Sequence, residues 1–271
     1  MTAPNVSNPT RSAATANQVR LPRTAALGPG RGEQPRLLID APAGAAEIYL
    51  HGATVTSWVP RGGAEVIFTS RQAVFDGATA IRGGIPLCLP EFGAGINGDA
   101  VPKHGWARIA PWRLRTVTST DDGGVRALLS VSRDHLTALC EIQIGETLRL
   151  GLSLRNDGTE PRTVEAAAHT YLSVHDVTAS LVSGLAGASY SDNLARSPQE
   201  LRQVQDGDVR ITGPVDRIYD SAEPVTVTDP GHRRAIHIDK RNAPSTIVWN
   251  PWSTYSAPLP DMADDEFPTM V

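Results

Sequence analysis

Two histidines, an aspartate and three arginines stand in this chain where side chains of their kind could bind and rearrange a small polar molecule. His104 lies in "PKHGWARIAPW", His169 in "EAAAHTYLSV" and Asp216 in "GPVDRIYD". Arg82 lies in "AIRGGIPLCLPEFG", Arg71 in "FTSRQAVF", and Arg108 four residues after His104. An imidazole takes up and releases a proton near neutral pH, so both histidines are candidates for acid–base work. An ionised Asp216 would accept hydrogen bonds from hydroxyls. A planar guanidinium matches phosphate oxygens at two points, which makes the arginines candidates for holding an anion.

Each residue also has a structural reading. A loop histidine such as His104 can be satisfied by backbone groups, and His169 sits in an apolar run where a core histidine is common. Asp216 can begin a turn or pair with Arg217, and Arg82 can cap a strand end. Arg71 and Arg108 can do no more than pair with surface carboxylates. Gly83 and Gly84 fit a tight bend, and no strand-to-helix switch follows them. With no G-x-x-x-x-G-K-[ST] sequence either, any phosphate would be bound by arginine side chains.

The elements that must position these residues read as strands. Short runs of β-branched and apolar residues alternate with turn clusters such as "APAG", "PRGG", "DDGG" and "NDGTEP", the punctuation of successive antiparallel strands. In "TLRLGLSLRN" the leucines 148, 150, 152 and 154 take every second position, which buries one face and wets the other. No helix longer than about two turns, no heptads and no internal repeat are expected. The spacing predicts an all-β chain folded as one large antiparallel β-sandwich over residues 35–271. Residues 1–34, rich in Ala, Thr, Asn, Pro and Gly without periodicity, read as a disordered N-terminal extension.

Bulk composition narrows the partners. The 271 residues carry 25 basic and 29 acidic side chains, a net charge of −4, with no long run of either sign. That lacks the footprint of a nucleic-acid binder and points to a small-molecule partner. Cys88 and Cys140 both lie among apolar residues, so they read as buried thiols of a reducing compartment, and no zinc spacing occurs. The first residues lack the apolar core of a signal peptide, and nowhere do about 18 apolar residues run together. A cytoplasmic protein with no membrane partner is expected.

The ordered set "AIRGGIPLCLPEFG", "PKHGWARIAPWRL", "HTYLSV", "VDRIY", "VWNP" and "MADDEF" resembles the hexose-6-phosphate mutarotase branch of the aldose 1-epimerase family. The similarity runs from about Leu37 to Val271 and takes in "GATVTSW" and "VIFTSRQAVFDG". It implies a large β-sandwich and a reaction without cofactor or metal that interconverts the α and β anomers of a hexose 6-phosphate, with glucose 6-phosphate the first candidate. It implies that His169 is the acid at the ring oxygen and that His104 supports the developing charge. Asp216 would hold sugar hydroxyls. The 6-phosphate would fall to Arg82 first, then to Arg71 and Arg108. A monomer is expected.

The resemblance places the base, a glutamate in a "CVE" type segment, just after "MADDEF". Here the sequence ends at "DMADDEFPTMV", so that segment and the closing C-terminal strands are expected to be missing. Glu266 matches the preceding "DDE" and is not that base. Glu91, in "LPEFG", is expected to neutralise a neighbouring arginine. Two other functions remain open: mutarotation of an unphosphorylated aldose, favoured if arginines are sparse at the site, and a sugar-phosphate binding module without catalysis, favoured by the missing glutamate.

Overall fold

A computed structural model of the chain describes residues 19–271. Its strands pair antiparallel throughout. The first sheet runs β1 (Ala25–Pro29), β2 (Pro35–Ala41), β3 (Gly44–Tyr49) and β4 (Thr54–Pro60) in chain order. After a short strand β5 (Leu87–Cys88), a second meander follows: β6 (Arg113–Ser119), β7 (Val125–Arg133), β8 (Leu136–Ile144) and β9 (Leu148–Asn156). Strand β10 (Ala167–Ala168) returns to pair with β5. The remaining strands are β11 (Leu181–Ser183), β12 (Ser189–Asp192), β13 (Arg202–Val204), β14 (Val215–Tyr219), β15 (Val225–Asp229), β16 (Arg234–Ile238) and β17 (Thr246–Asn250). They form two sheets, ordered β11-β15-β16 and β13-β12-β14-β17.

Alternation drives this arrangement. Leu136, Ala138, Cys140, Ile142 and Ile144 of β8 are buried while residues between them are wetter, and with Val125, Ala127 and Leu129 of β7 they join Leu37, Ile39 and Ile48 of the first sheet in one core. That is the packed pair of faces a sandwich requires. The four leucines of β9 alternate as expected but are half-buried, because β9 is the edge of its sheet. A second core under the later strands is built from Val182, Leu185, Tyr190, Ile211, Tyr219 and Val248, among others. The longest α-helix among the described residues is Trp252–Ser256.

The expected boundary at residue 34 is corrected. Strand β1 lies inside the stretch read as disordered, with Ala25 opposite Ile39 and Pro29 opposite Pro35. "AALGP" has no strand periodicity of its own; tertiary contacts hold it. The Arg31 guanidinium donates to the carbonyls of Ser70 (3.3 Å), Arg71 (2.9 Å) and Ala73 (3.2 Å) and lies 4.3 Å from the centre of the Phe75 ring. The rest of the expected extension, up to residue 18, lies outside the described residues.

The C-terminal segment folds back onto the stretch that follows Tyr171. Leu172 and Val271 exchange backbone hydrogen bonds of 2.7 and 3.1 Å. The fully buried Asn250 amide donates to the carbonyls of Phe267 and Met270, both at 2.8 Å. Glu266 is buried, and its carboxylate accepts from the Ser70 hydroxyl (2.7 Å) and the backbone N–H groups of Arg71 (2.8 Å) and Ala263 (2.9 Å). Both oxygens are thereby used to lock two chain segments together. Glu266→Ala should lower stability by about 2–4 kcal/mol, since charged hydrogen bonds are lost and their donors stranded; urea unfolding measures it, and a change below about 0.5 kcal/mol would refute the locking role.

Candidate active site

The segment from Gly83 to Pro90 sets the site. At Gly83 and Gly84 the backbone takes positive φ (99° and 74°), and a Cβ would fall 2.5 Å from the Phe68 carbonyl oxygen and 2.6 Å from that of Val55, respectively. The "RGG" glycines are therefore sterically required and fix the direction from which Arg82 leaves the chain. Beyond them the segment is bonded on both sides. Tyr171 N–H reaches Gly84 O (2.9 Å), His169 N–H reaches Pro86 O (3.0 Å), and Glu165 N–H reaches Pro90 O (2.8 Å). On the other side Leu89 exchanges bonds with the loop, donating to His104 O (3.2 Å) and accepting from Ala107 N–H (3.0 Å).

Two histidines distant in sequence are thus brought side by side, with ring centres 6.3 Å apart. His104 has φ +64°, and Gly105 after it is forced, since a Cβ there would meet the Leu89 carbonyl at 2.1 Å. His104 Nδ1 accepts the Gly93 N–H at 3.2 Å, so in the neutral ring Nε2 carries the proton and is a donor. The His169 ring stacks on Tyr171 (4.6 Å, 17°) and meets Trp249 edge-on (5.8 Å). Burial is the main force lowering both imidazoles to about 4. After burial, Arg108, Lys103 and Arg82 act on His104, and His104, Arg82 and Arg108 act on His169.

Both rings line a cleft of about 540 Å³, together with Arg82, Arg108, Asp216, Lys103, Tyr171, Asn193, Trp249 and Asp261. That volume suits a small-molecule ligand. Arg82 is committed within the protein: Nε donates to Asp261 (3.1 Å) and Nη1 to the Tyr171 hydroxyl (3.2 Å). Arg108 is freer, donating to the Lys103 carbonyl (2.9 Å) while its buried Nε has no partner among the described residues. Asp216 lies opposite Trp249 on the β14–β17 ladder and accepts the Asn193 side-chain amide at 2.9 Å. Burial raises the Asp216 carboxyl, with Asp192 adding to the rise and the Asn193 bond opposing it.

Five of the six expected site residues therefore converge. Arg71 does not. Its side chain is 66% exposed and pairs with Asp265 and Glu266, whereas that of Arg82 is 24% exposed. The pairing expected of Glu91 is also absent among the described residues: Arg82 takes Asp261 and Arg71 takes Asp265 and Glu266. Lys103, Tyr171, Trp249 and Asp261 were missed as lining residues, although each lies in or beside a quoted motif. Asn193, in "SDN", had no sequence signal beyond a turn. Gly93, Gly95 and Gly98 repeat the spacing of a dinucleotide-binding turn, but no helix follows and all three adopt positive φ in a loop of tight turns. Cys88, below the site, is buried and its thiol is pushed up to about 11 by desolvation, which removes it as a nucleophile. Among the described residues no group of three or more His, Cys, Asp or Glu side chains could hold a metal ion.

A cleft with two neutral imidazoles, a half-buried carboxylate and a cationic end, set on an antiparallel sandwich, has the size for a small polar molecule and groups able to transfer protons. The aldose 1-epimerase family model matches residues 35–271, and the chain belongs to that family. It is 31% identical over 245 residues to a Cenchrus ciliaris protein named "Putative glucose-6-phosphate 1-epimerase", covering 83% of this chain and 73% of the relative. An Escherichia coli protein of the same name is 30% identical, covering 87% and 80%. Among solved structures, a "putative mutarotase (YeaD)" from Salmonella typhimurium superposes with a TM-score of 0.83 at 26% identity, over 93% of this chain and 86% of that one. A galactose mutarotase-like protein from Lactobacillus casei superposes at 0.59 with 17% identity, over 80% and 83%, and shares the fold.

The neutral histidines make a prediction for stability. Unfolded, each titrates near its ordinary value of 6.5; folded, near 4. Between those values the unfolded state binds more protons, so stability must fall as pH drops from about 6.5 to about 4. Thermal unfolding across that window should show the decline, and His104→Gln/His169→Gln should flatten it. An unchanged slope in the double variant would mean that other groups carry the dependence.

Proposed function

We propose that this chain interconverts the anomers of a hexose 6-phosphate, with glucose 6-phosphate as the first candidate. The observation that carries this reading is the meeting, in one cleft, of the imidazole pair with Arg82, Lys103 and Arg108. Among the described residues those three cations face two lining carboxylates, Asp216 and Asp261, of which Asp261 is spent on Arg82. A free sugar has no use for such a charge excess. A phosphate does, through charge-assisted bonds to guanidinium groups.

In this mechanism Asp216 and Asn193 bind sugar hydroxyls and turn C1 and the ring oxygen toward the histidines. His169 gives a proton to the ring oxygen as the C1–O bond breaks, and the C1 hydroxyl proton passes to a carboxylate base. The resemblance gives that base role to a glutamate in a "CVE" type segment. His104 donates from Nε2 toward the same oxygen as charge develops there. Rotation about the C1–C2 bond turns over the carbonyl, and reversal of the proton transfers closes the other anomer. A cytoplasmic monomer belongs to the same reading. Free thiols at Cys88 and Cys140 support the reducing compartment, and no helix among the described residues is long and apolar enough to cross a membrane.

The test is the equilibration of pure α-glucose 6-phosphate, followed by exchange NMR, with this chain and with a form carrying the family's glutamate segment after Val271. Acceleration is expected, and His169→Ala should reduce it by about 10² or more while leaving sugar-phosphate binding nearly intact. Arg108→Ala should weaken glucose 6-phosphate binding by about 1.5–3 kcal/mol and glucose binding little. Binding without acceleration by either form would establish a sugar-phosphate binding module; equal acceleration of glucose would establish an unphosphorylated substrate.

A further inference from the structure

His169 lacks what an acid catalyst ordinarily has, a carboxylate that stabilises its imidazolium. No side chain among the described residues hydrogen-bonds either ring nitrogen, and the ring's faces and edges meet Tyr171, Trp249 and His104. From the loop that precedes β6 come Lys103, His104 and Arg108, and from the "RGG" bend comes Arg82. Tyr171 is neutral and already takes the Arg82 hydrogen bond, and the Cys88 thiol stays protonated. Of the two lining carboxylates, Asp261 is bound to Arg82 and Asp216 takes the Asn193 amide. Neither carboxylate is among the charged groups that act on His169, which are Arg82 and Arg108 with His104 beside them.

We propose that the substrate's own phosphate, held between Arg82 and Arg108, supplies the missing negative charge and lets His169 hold the proton that it delivers to the ring oxygen. The inference rests on the sugar-phosphate reading above and deepens it: the phosphate becomes an activator of the acid as well as a handle. Protons balance as before. His169 enters protonated, gives its proton to the ring oxygen as the C1–O bond breaks, and recovers it on closure, while the base takes and returns the C1 hydroxyl proton. An opposite charge near an ionisable group favours the charged form by about 1–3 pH units. The guanidinium charges of Arg82 and Arg108 are among the causes that hold His169 to about 4 without ligand, and these are the charges an anion offsets. By reciprocity, protonated His169 must tighten the anion's grip. A phosphate keeps at least one negative charge through the relevant range.

NMR of the histidine ring protons tests this without relying on turnover. The His169 signal is assigned by its loss in His169→Asn and titrated from pH 4 to 7.5, alone and with saturating inorganic phosphate or glucose 6-phosphate. Its midpoint is expected to rise by about one unit or more with either anion. In Arg108→Gln, with folding checked by thermal melting, the anion-free midpoint should lie higher than in the unaltered protein and the anion-dependent rise should shrink. Arg82→Lys, which keeps the charge, should leave the anion-free midpoint in place. Bound anion with an unmoved His169 midpoint would overturn the activation and leave the sugar-phosphate reading intact. Failure of both anions to bind would overturn both.

Discussion

Everything at this site hangs on backbone hydrogen bonds to one segment. Residues 84–90 accept from Tyr171, His169 and Glu165 on one side and exchange bonds with His104 and Ala107 on the other. Two histidines separated by a long meander thereby become neighbours, and neither owes its place to side-chain contacts alone. Two steric facts enforce the arrangement: Gly83 and Gly84 let the segment pass against Phe68 and Val55, and Gly105 lets the His104 loop pass against Leu89. A side chain at any of these glycines would push apart the segments whose spacing the chemistry needs.

On this scaffold the electrostatics divide into a fixed part and an open part. Asp261 and Tyr171 fix Arg82 through its Nε and Nη1, with Nη2 unpaired among the described residues, and Tyr171 carries that rigidity to His169 by stacking on it. The apolar floor of Phe68, Met262 and Met270 holds the same tyrosine from below. Arg108, in contrast, keeps a buried Nε without a partner among the described residues, although burying an unpaired polar group costs about 1–3 kcal/mol. A protein tolerates such a group where a ligand completes it. The two arginines thus differ in kind: Arg82 is built into the wall, and Arg108 is left available.

The strand content and the ordered motifs were legible in the sequence because both are local. Alternating leucines in β9 and the "RGG" and "HG" glycines announce pleat and bend wherever they occur. What escaped was set by tertiary placement. Strand β1 has a Gly- and Pro-containing sequence and exists because β2 and Arg31 hold it. Arg71 sits in a motif as suggestive as that of Arg82, yet a turn aims it at Asp265 and Glu266. Asn193 reaches the cleft only because β12 delivers the chain beside β14, where Asn193 N–H bonds the Asp216 carbonyl at 2.8 Å. No local pattern encodes that adjacency.

A second cluster in the same chain shows why residue type alone does not identify a site. His175, Asp229, His232 and Arg234 gather around the β15–β16 turn with the composition of a catalytic group. Asp229 is fully buried and accepts from His175 N–H (3.2 Å), His232 Nδ1 (2.7 Å) and Arg234 Nε (3.2 Å). Arg234 spends its remaining donors on the carbonyls of Glu65 (2.8 Å) and Ser173 (2.6 Å). The carboxylate and the guanidinium are both occupied, so the cluster ties the hairpin to the neighbouring strands and offers little to a ligand. At the cleft the balance is reversed: two imidazoles stand without a carboxylate, an arginine nitrogen is buried without an acceptor, and cations outnumber anions. Local deficits of this kind lower the stability of an empty protein, and they persist where binding relieves them. The unsatisfied cluster, and not the better-bonded one, is therefore the candidate site of this fold.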